Sequence, residues 1–538
     1  MVWHVLLLVL VVQATVVKIT LPHVVPSSQL VSTFPVGLSI EQDHFPIWAG
    51  PPSAQNTYTQ TLLKNVVDRS GVPPPVRVGG TTEDRTWLAP NTSILSSAAV
   101  FPPSSNASTS RLYPEATLVY AGPEFWESAR NFPNGTEFTF GINLRAQDPV
   151  MAREVARMAW ESVQGTGVKL RAFEIGNEPD MYGNWSATFY ASNWNAAALS
   201  IVNASLPYGQ PTFQLFAFAN PSARANFSIS GALNAGVAAP ERLRGLARIA
   251  SEHHYQWSTK IADLMSKSII SSQLDQFSPE ISAAQKAGLQ FEFGETGSVG
   301  GHGAPGVSNV AGSVIWAVSY TFQALTRGVK RLYFHNGLCY RYNFFQPVSS
   351  CADDTHLSGA HILPMYHLLL VVAEALSYPG PVRVGELQTG AGEVSAWGVW
   401  AADTDQLLRV VLVNSAPYTS GTRASYAYTF SNLPPSASGS SNSSGSPSSS
   451  EPALGQPWIR RLFVPGVESM GGLTWAGQSY ETTSGKAGGK RVDELLAVTP
   501  ASGAGAGVGE DEERGSGGGT GSIQGWESEV LVLFFREG

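Results

Sequence analysis

Phe173-Glu174-Ile175-Gly176-Asn177-Glu178-Pro179-Asp180 is the stretch on which the fold turns. A short apolar run, Arg171 to Ile175, stops at a glycine and gives way to a carboxylate between an amide and a proline. Such a run reads as a buried parallel strand. Gly176 lets the chain turn, and Pro179, which has no N–H to donate, restricts Glu178 towards an extended conformation. The carboxyl group is thereby aimed off the end of a strand. A second ending of this kind occurs at Leu289-Gln290-Phe291-Glu292-Phe293-Gly294-Glu295, where apolar alternation again runs into glycine and then a carboxylate.

Working outward, comparable strands are predicted at Val36–Glu41, Val76–Gly80, Phe138–Asn143, Phe213–Phe218, Ile249–His254 (followed by Tyr255) and Arg331–His335. Helical periodicity separates them at Val150–Ser162, Ser258–Ser268, Ser278–Ala287 and Val310–Leu325. Eight strands alternating with helices predict an α/β fold, a (β/α)8 TIM barrel over residues 34–378. In such a barrel the side chains at the C-terminal strand ends line the active site. No glycine-rich phosphate fingerprint follows an early strand, which disfavours an open doubly wound sheet.

From about Pro379 to residue 538 the pattern changes to short alternating segments at Glu393–Ala401, Leu407–Val413, Ser425–Phe430, Ile459–Val464 and Val530–Phe535. These predict a C-terminal all-β sandwich, with disordered insertions expected at 436–450 and 502–522. Residues 15–33 form an N-terminal segment whose strand, Val16–Leu21, lacks a following helix and can join the sandwich. Two domains suit a chain of 538 residues, since single cores stop growing near ~250 to 300.

Hydrophobic residues make up 43% and charged residues 14%, with 54 Gly and 35 Pro, which describes a globular, loop-rich protein. The formal charge of −8 argues against a nucleic-acid or other polyanion partner. Residues 1–14 read as a secretory signal peptide, with an apolar run from Val2 to Val12 and small residues after it; the competing reading is a buried N-terminal strand. No later stretch resembles a membrane anchor. Sequons at Asn91, Asn106, Asn134, Asn184, Asn203, Asn226 and Asn442 add support for export and glycosylation. In an exported chain the two cysteines, Cys339 and Cys351, are spaced for a local disulfide. They supply too few ligands for a metal site, and of the neighbours His253 and His254 a strand turns only one towards any given site.

Two carboxylates on two strand ends suggest hydrolysis of a glycosidic bond, which needs one carboxylic acid to protonate the leaving oxygen and a second group to meet the charge developing at the anomeric carbon. Glu178 suits the acid/base and Glu295 the nucleophile. Singly, each reads equally well as a turn or surface carboxylate. Together, after strands four and seven, they favour catalysis.

Asn177-Glu178-Pro179 followed by Gly294-Glu295 looks like the clan A retaining glycosidases. The segments Phe34–Glu41, Arg77–Gly80, Glu174–Pro179, His253–Tyr255, Gly294–Glu295, His335–Asn343 and Leu473–Ser479 resemble glycoside hydrolase family 79, which holds fungal β-glucuronidases and heparanases. The resemblance implies a barrel with a C-terminal β-domain, no cofactor, and removal of β-linked glucuronic acid or its 4-O-methyl ether from a glycan. It implies that Asn177 bonds the sugar 2-hydroxyl, Tyr255 orients Glu295 and Glu41 holds a ring hydroxyl. In the loop after strand eight, Tyr340, Tyr342 and backbone N–H groups from Gly337 onward are offered to the uronate carboxylate. The competing readings of these side chains are a turn amide, core aromatics and a surface charge. The loop Thr296–Gly303 departs from the family in its glycine content, and its His302 is expected to be flexible and exposed. The alternatives are a clan A hydrolase of another β-linked sugar, a heparanase-like endoglycosidase, and a catalytically silent carbohydrate-binding protein.

Overall fold

The computed structural model describes residues 14–89, 97–101, 114–204, 211–219, 227–348, 359–434, 456–499 and 519–535. The signal-peptide core, the sequons at Asn91, Asn106, Asn226 and Asn442, Cys351 and the insertion at 436–450 lie outside them.

Eight parallel strands close into a barrel: β1 (Val36–Glu41), β2 (Val76–Gly79), β3 (Glu137–Ile142), β4 (Lys169–Ile175), β5 (Phe213–Phe218), β6 (Ala247–Tyr255), β7 (Gln290–Gly297) and β8 (Leu332–Asn336). Closure is the pairing of β8 with β1, in which Leu332 faces Val36 and Asn336 faces Ile40. Every residue of β1, β2 and β5 is buried, because helices cover the outside and side chains fill the inside, so these strands are apolar almost throughout rather than alternating. Helices begin where the sequence provides caps. The Asn56 side chain accepts from the N–H groups of Tyr58 and Thr59, and Asp148 accepts from Val150 and Met151 ahead of Pro149. The predicted helix Ser258–Ser268 is instead two, Ile261–Met265 and Lys267–Asp275. Ser266 adopts an extended conformation and caps the second, so its hydroxyl competes with helix continuation.

Most of the remaining strands form two stacked sheets. The larger runs Gln29–Val31, Val382–Leu387, Val394–Ala401, Leu407–Asn414, Glu529–Phe534, Trp458–Phe463 and Thr474–Trp475; the smaller runs Thr15–Thr20, Ser425–Leu433, Gly519–Trp526 and Ala497–Thr499. The central strands of the larger sheet are apolar on both faces for a positional reason. Val411, Val413, Val530 and Val532 join the barrel core, while Val410, Leu412, Leu531 and Leu533 pack against Val17, Ile19, Tyr428 and Phe430 of the smaller sheet. The helix Ala311–Thr326, buried from Ala311 to Leu325, lies at this junction, and its first two N–H groups donate to the carbonyls of Ser469 and Val467 at 2.7 and 2.8 Å.

The expectation of disorder up to residue 522 is corrected at its end; residues 502–518 lie outside the described ones, and residues 519–522 belong to a paired strand. Its glycines serve close packing. A Cβ on Gly521 would stand 2.6 Å from Leu496, and one on Gly525 would collide with the Tyr428 ring. Among the described residues no helix is long and apolar enough to cross a membrane.

Candidate active site

The two carboxylates singled out in the sequence meet at the C-terminal mouth of the barrel. One oxygen of Glu178, one of Glu295 and a ring nitrogen of His253 all lie within 4.8 Å of one another. They line a cavity of about 420 Å³ together with Tyr255, His302, His335, Tyr340 and Tyr342.

Glu178 is not extended, as Pro179 had led us to expect; it is left-handed, with φ 51° and ψ 52°. The steric rule that a proline disfavours the right-handed region still holds, but the fold uses the other exit. The Glu178 N–H donates to the carbonyl of Ala217 at 2.9 Å on neighbouring β5, which locks the turn. Ahead of it Gly176, at φ 90°, comes so close to Leu144 that a Cβ would stand 2.7 Å from that residue's own Cβ. The Glu178 side chain is 30% exposed and lies 3.0 Å from Nδ1 of His253, on β6. Among the described residues Nε2 of His253, which is buried, has no hydrogen-bond partner.

Glu295 is held far more firmly. Arg77 Nη1 donates to Oε2 at 2.8 Å and the Tyr255 hydroxyl to Oε1 at 2.7 Å, with His335 Nδ1 3.6 Å from Oε2. Burial alone would push its pKa up, but the charges of His335, His253 and Arg77 and the Tyr255 hydrogen bond outweigh it and hold the carboxyl well below the usual range. A carboxylate so held is an anion at any physiological pH.

Arg77 organises this floor. It is fully buried and bonds Glu174, Ser39 Oγ at 2.9 Å and Asn177 Oδ1 at 2.8 Å, in addition to Glu295. His335 bridges Ser39 at 3.1 Å and Glu41 at 3.1 Å; burial opposes its charged form, but Glu295 and Glu41 raise its pKa above the ordinary value. None of Arg77, His253, His335 or Ser39 had been assigned a role from sequence, although a signal existed. An Arg between two valines of a barrel strand must be buried, and a buried guanidinium needs carboxylates.

Asn177 presents its Oδ1 to Arg77, so its amide nitrogen is the end left for a ligand. Glu41 is fully buried and accepts from the Thr82 N–H and hydroxyl, both at 2.6 Å, and from His335. Tyr340 and Tyr342 are 1% and 4% exposed. The Tyr340 hydroxyl has no hydrogen-bond partner among the described residues, and burial beside Glu41 and Glu115 keeps it protonated, hence a donor. Two expectations are corrected. The N–H of Gly337 is given to Asn343 Oδ1 at 3.1 Å, and those of Leu338, Cys339, Tyr340 and Arg341 are also taken within the protein, so this run of the loop does not offer its backbone to a ligand. His302 is neither flexible nor exposed. It is 3% accessible, stacked on Tyr340 at 3.9 Å between ring centroids, with Nε2 2.8 Å from Glu115 Oε1. The glycines around it let the loop fold back over the tyrosine.

Residues 396–521 match the glycosyl hydrolase family 79 C-terminal beta domain. Along most of its length the chain is similar to two fungal proteins named beta-glucuronidase. It is 28% identical over 497 residues to that of Aspergillus niger, covering 84% of each chain, and 27% identical over 522 residues to that of Neurospora crassa, covering 86% of this chain and 87% of the other. This chain is a glycoside hydrolase. The likeness bears out the resemblance to family 79 on which the sequence reading rested. Among solved structures the hydrolase shares its fold with a 4-O-α-L-rhamnosyl-β-D-glucuronidase from Fusarium oxysporum, with a TM-score of 0.75 and 24% identity over 96% of this chain and 100% of the other. It is more distantly similar to an α-L-arabinofuranosidase from Thermotoga maritima, with a TM-score of 0.56 and 12% identity over 96% and 99% of the two chains.

Proposed function

We propose that the protein is an exported, retaining exo-β-glucuronidase that removes terminal β-linked glucuronic acid, or its 4-O-methyl ether, from glycans. The reading is carried by the spacing of Glu178 and Glu295, whose nearest oxygens lie within 4.8 Å. Inverting hydrolases keep their carboxyl groups roughly 6.5–9.5 Å apart to admit a water, whereas retaining ones hold them near ~5 to 5.5 Å. In the proposed mechanism Glu178 gives its proton to the leaving oxygen while Glu295 attacks the anomeric carbon. Esterification removes the charge of Glu295, and Glu178 then takes a proton from the incoming water as the ester is hydrolysed.

The uronate preference is supported by the hydroxyl of Tyr340, a buried donor without a partner among the described residues, beside Tyr342 and His302. An anionic C6 carboxylate satisfies that donor, whereas the hydroxymethyl of a neutral sugar gains less from it. Asn177 is then placed for the 2-hydroxyl and Glu41 for a further ring hydroxyl. The enzymes named beta-glucuronidase from A. niger and N. crassa point the same way. Export is supported by the apolar N-terminal run and by the exposed sequon residues Asn134, Asn184 and Asn203.

The test is release of nitrophenol from the β-glycosides of glucuronic acid, glucose, galactose and xylose. Turnover of the glucuronide, with the β-anomer appearing first by NMR, is expected. Release from a neutral glycoside and none from the glucuronide overturns the substrate assignment. A loss of mass on enzymatic deglycosylation of the native protein checks export.

A further inference from the structure

Trp257 is 63% exposed, the most exposed tryptophan among the described residues; the next, Trp87, is 39% exposed. It follows β6 two residues after Tyr255, the phenol that holds Glu295, and it lines the same cavity as Glu178 and Glu295. Its backbone is left-handed, with φ 58°, a region that a bulky side chain enters only when its surroundings compel it. The compulsion is visible. Its N–H donates to the carbonyl of Ser298 at 2.9 Å, and its ring lies so close to Gly300 that a Cβ there would collide with the indole. A strained turn and a glycine in the facing loop thus hold a large apolar ring out in water, where folding alone gains nothing from it.

The cavity wall is unevenly exposed. His302, Tyr340 and Tyr342 are exposed by 3%, 1% and 4%, whereas Met181, three residues beyond Glu178, is 56% exposed and Trp257 63%. The buried aromatic groups suit the terminal sugar. Its leaving oxygen must face the proton donor Glu178, itself 30% exposed, so whatever is attached to that oxygen extends towards the exposed part of the wall.

We infer that Trp257 is a stacking platform for the first sugar ring of the leaving group, which makes it a specificity-determining residue for the aglycone. The inference rests on the glucuronidase reading above. The axial C–H bonds of a pyranose carry a slight positive charge and form an apolar face, which complements the negative face of an indole. The platform therefore selects a neutral pyranose at that position. A charged or sulfated ring is not matched, since among the described residues no Lys or Arg lines the cavity.

The experiment compares a β-glucuronosyl disaccharide of a neutral pyranose with methyl β-glucuronide, using the wild type, Trp257→Gly and Trp257→Phe. Glycine relaxes the left-handed turn, so the variant keeps the fold, and its melting temperature is recorded alongside. For Trp257→Gly, kcat/KM on the disaccharide is expected to fall at least tenfold, mainly through KM. On methyl β-glucuronide it should change less than twofold, and the protein should melt no earlier than the wild type. Trp257→Phe should recover most of the disaccharide activity. An unchanged disaccharide rate, or an equal fall on both substrates, overturns the platform alone. Absence of wild-type turnover on both glucuronides overturns the glucuronidase reading and the platform with it.

Discussion

Arg77 Nη1 and Glu295 Oε2 lie 2.8 Å apart, joining the second barrel strand to the seventh beneath the active-site cavity. Because the same guanidinium also bonds Glu174 and Asn177, one buried cation sets the position of the candidate nucleophile, of a buried carboxylate under it and of an amide next to the candidate acid.

Replacing Arg77 with Met leaves Glu174 and Glu295 short of their cation in a buried floor. Stability should drop by about 3–5 kcal/mol in urea unfolding. The pH dependence follows from the depressed pKa of Glu295. A carboxyl held below its unfolded value of about 4.3 contributes stability that is present above that value and lost as pH falls through the folded one. Without Arg77 the depression shrinks, so the acidic limb of kcat/KM should move to higher pH. A limb that stays in place refutes the link.

Glu178→Gln should lower kcat/KM on an unactivated glucuronide by about 10²–10⁴-fold, the usual contribution of a general acid. The loss should be much smaller for a nitrophenyl glucuronide, whose leaving group needs no proton. Glu295→Gln should abolish turnover of both. Equal losses in Glu178→Gln across the two leaving groups would reassign the residue.

Tyr340→Phe removes only a hydroxyl. If that hydroxyl meets the uronate carboxylate, kcat/KM on the glucuronide should fall about 10- to 100-fold, in line with loss of a hydrogen bond to a charged group, which is worth roughly 1.5–3 kcal/mol. The same variant should act on the glucuronide methyl ester with little change from the wild type. Comparing the two substrates separates recognition of charge from general damage to the loop.

Glu252 lies on β6 with both carboxyl oxygens buried. Burial, and then the charge of Glu280, pushes its pKa well above the ordinary value. A group whose folded pKa is raised contributes fully below its unfolded pKa, and that contribution is lost as pH rises through the folded one. Glu252→Gln should therefore flatten the alkaline fall in melting temperature and stabilise the protein at pH 8 by about 1–3 kcal/mol. Thermal melts of both proteins from pH 5 to 9 decide it.

Barrel strands and both carboxylate positions were readable from the sequence because each is written locally, as an apolar run, a glycine and a charged residue close after it, although only Gly176 turns the chain, whereas Gly294 and Glu295 lie within the strand that runs to Gly297. Residues 519–522 were misread for a local reason too, since glycine looks the same in a linker as in a strand packed against Leu496. His302 was misread because its burial depends on Tyr340 and Glu115, which no nearby residue announces.

What this sequence determined by itself is where the backbone extends, coils and turns, and hence a barrel that carries Glu178 and Glu295 on strand ends. Which groups meet those two carboxylates was decided only by the tertiary structure. Arg77, His253, Tyr255 and His335 reach them across intervals of 40 to 218 residues. Electrostatic partnership acts through space, whereas the patterns legible in a chain follow the periods of its own local geometry.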